Sequence, residues 1–97
     1  MEYTCRAEII ANQSVQDDIV ELLEREIENV EYTLIPGAEG KGVHSKKSGD
    51  TVWPELNFIL TAYTDDEGAK RIKAIIKSVK EKFPNEGITL FFTRAFI

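Results

Sequence analysis

The stretch LNFILTAYTDDE, residues 56–67, decides how the chain is read. Leu56, Phe58, Leu60 and Ala62 alternate with Asn57, Ile59, Thr61 and Tyr63, which is the two-residue period of a β-strand. Both halves of the alternation contain apolar side chains, so both faces of this strand have something to bury. TDDE at 64–67 reads as a capping box, with Thr64 placed to accept from the third helical amide and Glu67 placed to reach back to the cap. A helix therefore follows directly. Its inward face is Ala69, Ile72, Ile75, Ile76 and Val79, with Phe83 near the end, and Pro84 stops it.

The same periods recur on both sides. In MEYTCRAEII, residues 1–10, Tyr3, Cys5, Ala7 and Ile9 alternate with Glu2, Thr4, Arg6 and Glu8, and this first strand is expected to end near Ala11. Asn12 or Ser14 can cap a first helix, where Val15, Ile19, Leu22, Leu23 and Ile27 share a face and Asp17, Asp18, Glu21, Glu24 and Glu28 take the rest. VEYTLI at 30–35 is a second strand that stops at Pro36-Gly37 or enters a bent hairpin arm there. ITLFFTRAFI at 88–97 closes the chain, with Ile88, Leu90 and Phe92 on one side and Thr89, Phe91, Thr93, Ala95 and Ile97 on the other.

The order β-α-β-β-α-β predicts an α+β, ferredoxin-like domain spanning 1–97, a four-stranded antiparallel sheet with two helices on one face. Two helices cover one side of a sheet. Ile59, Tyr63, Phe91 and Ala95 then fall on the uncovered side, so association with other subunits is expected to bury them.

Charge and size narrow the function. The chain has 97 residues with a formal net charge of −5, which disfavours nucleic acid and anionic membrane surfaces as partners. It is too short to enclose a deep cleft within one subunit and still keep a core. A lone Cys5 in an apolar strand reads as a core thiol in a reducing cytoplasm. The amino terminus lacks a basic segment followed by an apolar run, and nothing approaches a membrane-spanning length. The two helices differ in sign: residues 65–83 hold six Lys/Arg against four Asp/Glu, and residues 13–31 hold one Arg against seven Asp/Glu. Both surfaces read first as solvated helix faces.

Between the central strands lies PGAEGKGVHSKKSGDTVWPE, residues 36–55, much longer than an ordinary hairpin turn and expected to form a long mobile loop. Gly37, Gly40 and Gly42 suit tight or positive-φ turns whose successive amides can surround an anion. The segment lacks the GK[ST] ending of a P-loop and opens no helix, so neither phosphate-binding fingerprint applies. Lys41, Lys46 and Lys47, with His44 and Ser45 among them, bring positive charge into an acidic chain, either to attract an anion or to keep the arm soluble. His44 has no accompanying ligand cluster, so no metal site is assigned. Trp53, before Pro54, is placed to brace the arm or to stack on a ligand or neighbouring subunit. No Ser/His/Asp or Cys/His arrangement can be assembled, and no catalytic residues or cofactor are assigned.

The strand order, the Gly37-Ala38-Glu39-Gly40-Lys41-Gly42 segment, the long arm, VWPELNFIL at 52–60 and the terminal FFTRAFI together resemble the PII-like branch of the nitrogen regulatory PII signal-transduction superfamily. The resemblance spans most of the chain. It implies a non-catalytic homotrimeric sensor or regulatory protein, with ligand clefts between subunits and an arm that responds to a ligand or partner protein. It makes Gly37, Gly40, Lys41 and Gly42 candidates for the base of a cleft for a small anionic metabolite and His44, Ser45, Lys46, Lys47 and Trp53 candidates for the responsive arm. Arg94 becomes a candidate for reaching the ligand from a neighbouring subunit. The chain departs from classical PII proteins in that Tyr63-Thr64-Asp65-Asp66-Glu67 leads straight into a helix and in lacking further basic C-terminal positions and the arm tyrosine. Two alternatives stand beside this reading: a divalent-metal-responsive or metal-tolerance protein on a similar trimeric scaffold, and a protein-binding adaptor.

Overall fold

The computed structural model describes residues 3–41, 46–47 and 56–96. In chain order the elements are β1 (Cys5–Asn12), a 3-10 turn (Gln13–Val15), α1 (Gln16–Glu26), β2 (Tyr32–Ala38), β3 (Gly40–Lys41), β4 (Lys46–Lys47), β5 (Asn57–Thr64), α2 (Asp66–Lys82) and β6 (Ile88–Arg94). The main sheet has the order β2-β5-β1-β6, with every neighbouring pair antiparallel. This is the expected ferredoxin-like arrangement. β3 and β4 pair separately, Gly40 with Lys47 and Lys41 with Lys46, so the arm begins as a small ribbon. No helix among the described residues is long and apolar enough to cross a membrane.

Alternation along the strands sorts the side chains. Ala7, Ile9 and Ala11 of β1 and Phe58, Leu60 and Ala62 of β5 are buried against Val15, Ile19, Leu23 and Ile27 around α1 and Ile72, Ile75, Ile76 and Val79 of α2. Each fully buried branched or aromatic side chain here is worth roughly 1.5–3 kcal/mol relative to exposure. Cys5 is buried on the same face, and burial, helped by the charge of Asp66, pushes its thiol pKa up. It is a core thiol and a poor nucleophile.

One boundary settles an alternative the sequence left open, and a second corrects the sequence expectation. β2 does not stop at Pro36; it runs through Pro36-Gly37 to Ala38, with a register shift between Ile35 and Ala38. An edge strand tolerates a residue that cannot donate, and Gly37 absorbs the irregularity at φ +67°. The correction concerns the cap of α2. Asp65, not Thr64, is the N-cap, its carboxylate accepting from the Gly68 amide at 2.8 Å. Thr64 is held in the sheet, where its carbonyl accepts from the Thr4 amide at 3.0 Å. Its side chain packs so tightly on the first turn of α2 that a Cβ at Gly68 would collide with Thr64 Oγ1. Asn12 caps the 3-10 turn, accepting from the Ser14 amide at 2.9 Å, and α1 follows with Val15 at its N-cap and no side-chain cap.

Among the described residues, no layer covers the opposite face of the sheet. Antiparallel pairing sets Ile35, Ile59, Ile10 and Thr89 in one row across all four strands, with Phe91 opposite Glu8 in the next. Ile35 is 56% exposed and Phe91 55%. The uncovered apolar groups anticipated from the sequence are present, and Ile35 joins them.

Candidate functional site

The register locates the candidate anion-binding residues. Ala38 of β2 pairs with Asn57, which pairs with Asn12, so Gly37, Gly40 and Lys41 lie beside the end of the sheet where β1 finishes. Arg94 pairs with Cys5, at the end where β1 begins, and β6 is the opposite edge strand from β2. The two groups therefore occupy diagonal corners of one sheet. Within a single chain they do not meet.

At the first corner the glycines behave differently from one another. Gly37 takes the left-handed backbone expected of it. Gly40 does not, and serves close approach instead: a Cβ there would stand 3.1 Å from Asn57 Nδ2. The expectation of a run of positive-φ amides thus holds only at Gly37 among the described residues. Lys41 is exposed beside them. Lys46 and Lys47 pair with this segment through the backbone. Gly42, His44, Ser45 and Trp53 lie outside the described residues.

At the second corner Arg94 borders a concavity of about 380 Å³ with Cys5, Asp66, Ala69, Lys70 and Phe92. Its guanidinium stands 3.8 Å from Asp66 Oδ1, both side chains being about three-quarters exposed (78% and 73%). An ion pair so long and so wet contributes little, and it leaves Arg94 able to turn to another anion. Asp66 is already engaged, accepting from the Thr4 hydroxyl at 2.8 Å. Lys70 adds a second cation at the rim. No group of three His, Cys, Asp or Glu side chains among the described residues could hold a metal ion, and His44, on which the metal-responsive alternative rests, lies outside them.

A further concavity, of about 480 Å³, was not signalled by any spacing in the sequence. Tyr3, Tyr32, Tyr63 and Phe96 line it, with Glu31, Thr33 and Thr61. These residues come from both chain ends, from the start of β2 and from the end of β5, and only strand pairing collects them. The Tyr3 hydroxyl hydrogen-bonds to Glu31, and that bond, with burial and the carboxylate's charge, pushes its pKa up. Tyr32 donates to Glu24 Oε1 at 2.6 Å and shifts upward for the same reasons.

No protein-family model and no curated protein sequence matches the chain. Solved structures do. CPII of Thiomonas intermedia K12, a nitrogen regulatory PII-like protein bound to ADP, AMP and bicarbonate, superposes with a TM-score of 0.72 at 18% identity, covering 97% of this chain and 89% of that one. The fold is that of the PII-like proteins. A PII-like signaling protein of Thermus thermophilus superposes with a TM-score of 0.69 at 23% identity, covering 97% of this chain and 88% of its own. The same path is followed by the de novo designed protein Foldit4, with a TM-score of 0.62 at 18% identity over 95% of this chain and 98% of that one. Function must accordingly be argued from the corners and faces of this chain.

Proposed function

We propose that the chain is a non-catalytic cytoplasmic regulatory protein of the PII-like type, a trimer that binds a small anionic ligand between subunits and signals through the 36–55 arm. The observation that carries this reading is the diagonal placement of the two basic corners. Gly37, Gly40 and Lys41 at one corner and Arg94 at the other can flank one ligand only when they come from different chains. The uncovered row of Ile35, Ile59 and Ile10, with Phe91 beside it, supplies apolar area for the association this requires. Gly42, His44, Ser45, Lys46, Lys47 and Trp53 belong in this proposal to the arm, which changes state only if the ligand favours one of its conformations. CPII's ligands make ADP, AMP and bicarbonate the first probes.

Light scattering establishes the mass of the assembly, and calorimetry with each probe measures binding. The decisive experiment is complementation. Lys41→Ala and Arg94→Ala each lose binding, yet a refolded mixture of the two regains part of it, because some interfaces then pair an intact Lys41 with an intact Arg94. A monomer in solution, or a mixture no better than its components, overturns the proposal.

A further inference from the structure

We propose that the outer surface of the two-helix layer is a contact between two copies of this chain, in which the acidic ridge of α1 in each copy lies along the basic ridge of α2 in the other. The open face of the sheet takes no part in it, so this contact stands apart from the assembly proposed above.

The two ridges share one spacing. Asp17, Glu21 and Glu24 of α1 fall at i, i+4 and i+7, and so do Lys73, Lys77 and Lys80 of α2. All six residues are exposed. No Lys or Arg occurs between Asp17 and Glu24, and no Asp or Glu between Lys73 and Lys80. Residues so spaced line one side of a helix, where like charges repel and destabilise it. A face built only for solubility intersperses the two signs. None of the six takes part in an ion pair among the described residues, although Glu24 accepts from the Tyr32 hydroxyl.

The ridges follow opposite margins of the layer. α1 and α2 pack side by side, and the groove of about 160 Å³ between them is lined in part by Glu21, Leu22 and Arg25 of α1 and by Ser78, Lys82 and Phe83 of α2. None of the three ridge lysines lines it. Glu24 reaches the other way, to Tyr32 of β2, and Lys70, three residues before Lys73 on the same side of α2, borders the concavity beside Phe92 and Arg94 of β6. β2 and β6 are the two edges of the sheet.

A two-fold axis running along the groove turns a second copy face to face with the first and sets each α1 margin against the other's α2 margin. Both ridges then meet opposite charge in a single contact, whereas an acidic or a basic partner would satisfy only one of them. With these spacings the charges fall out of step by no more than one residue, about 1.5 Å of helix, whichever way the facing helices run. Exposed pairs of this kind are individually weak and screened by salt, so the contact belongs to low ionic strength and high concentration.

The test is sedimentation equilibrium of the full chain at about 20 mM and at about 500 mM salt. The average mass is expected to be higher at low salt, against the direction in which a net charge of −5 alone would drive it. Two charge reversals isolate the ridges. Asp17→Lys with Glu21→Lys turns most of the acidic ridge basic, Lys73→Glu with Lys77→Glu turns most of the basic ridge acidic, and each variant alone should lose the low-salt gain in mass. An equimolar mixture of the two should regain it, because each reversed ridge then faces an opposite one. Bulk charge predicts otherwise, since the first pair of substitutions brings the chain nearer neutrality and should promote association. Circular dichroism checks folding, and Glu21→Lys against Lys77→Glu repeats the test with the first turn of α1 left intact. No gain in mass at low salt, a gain that survives either reversal, or a mixture no heavier than its components overturns the proposal. The mass at high salt, and its response to Ile35→Ser and Phe91→Ser, reports on the open-face assembly alone, so the two proposals fail separately.

Discussion

The two faces of one sheet differ in who finishes them. On the helix side, β1 and β5 present Ala7, Ile9, Phe58 and Leu60, and the chain's own helices seal them completely. On the other side the same strands present Ile10, Ile59, Thr61 and Tyr63, and the described residues offer no layer to cover them. The lesson is that period-two alternation fixes which residues share a face, whereas the number of helices fixes how many faces the chain can close alone. The helix side is where the chain buries its own core, and the open side is where the proposed assembly would bury the rest.

That contrast can be broken in order of expected effect. Phe58→Ala, at a fully buried position, should cost about 3–5 kcal/mol in denaturant unfolding, because it leaves a cavity between sheet and helices. Gly68→Ala should cost about 1–3 kcal/mol through overpacking against Thr64, less whatever the helix gains from alanine. If the collision is the cause, Thr64→Ala combined with Gly68→Ala should be more stable than Thr64→Ala alone. On the open side, Ile35→Ser and Phe91→Ser should change the unfolding of the dilute chain by under about 0.5 kcal/mol yet shift the mass seen by light scattering towards the single chain. A large loss of folding stability with unchanged mass would erase the distinction between the faces. The smallest effect is alkaline. The hydrogen bond to Glu24 holds the Tyr32 pKa above its ordinary 10.0, so the folded state keeps this proton longer than the unfolded one. The contribution is present below the ordinary tyrosine pKa and is lost as pH rises through the raised one. Tyr32→Phe should remove that part of the alkaline decline in stability, measured by unfolding across the tyrosine titration range.

The sheet and both helices were legible in the sequence because each element carries its own period and its own stop. Phe58, Leu60 and Ala62 announce a strand face, and Pro84 ends α2 whatever surrounds it. The boundaries left open or misread were those decided by neighbours. Pro36 breaks an interior strand, and only the sheet order reveals that β2 lies at an edge where proline is tolerated. Thr64 and Asp65 are both competent caps; the choice fell to Asp65 because β1 claims Thr64 for its ladder. Arg94 and Lys41 were identifiable as charges in suitable segments, but their separation to opposite corners is a property of register, invisible until the strands are paired. The aromatic concavity was hidden more deeply, since its walls come from four separate stretches and no local spacing links Tyr3 to Phe96.

The diagonal corners also bear on stoichiometry. A contact that joins one corner of a subunit to the other corner of the next is head-to-tail, and such contacts close only as rings. A ring has as many junctions as members, and every member takes part in two of them. A ligand seated at one junction would therefore touch a chain already shared with the next junction, so in the proposed assembly a ligand that favours one state of that chain would couple the two sites.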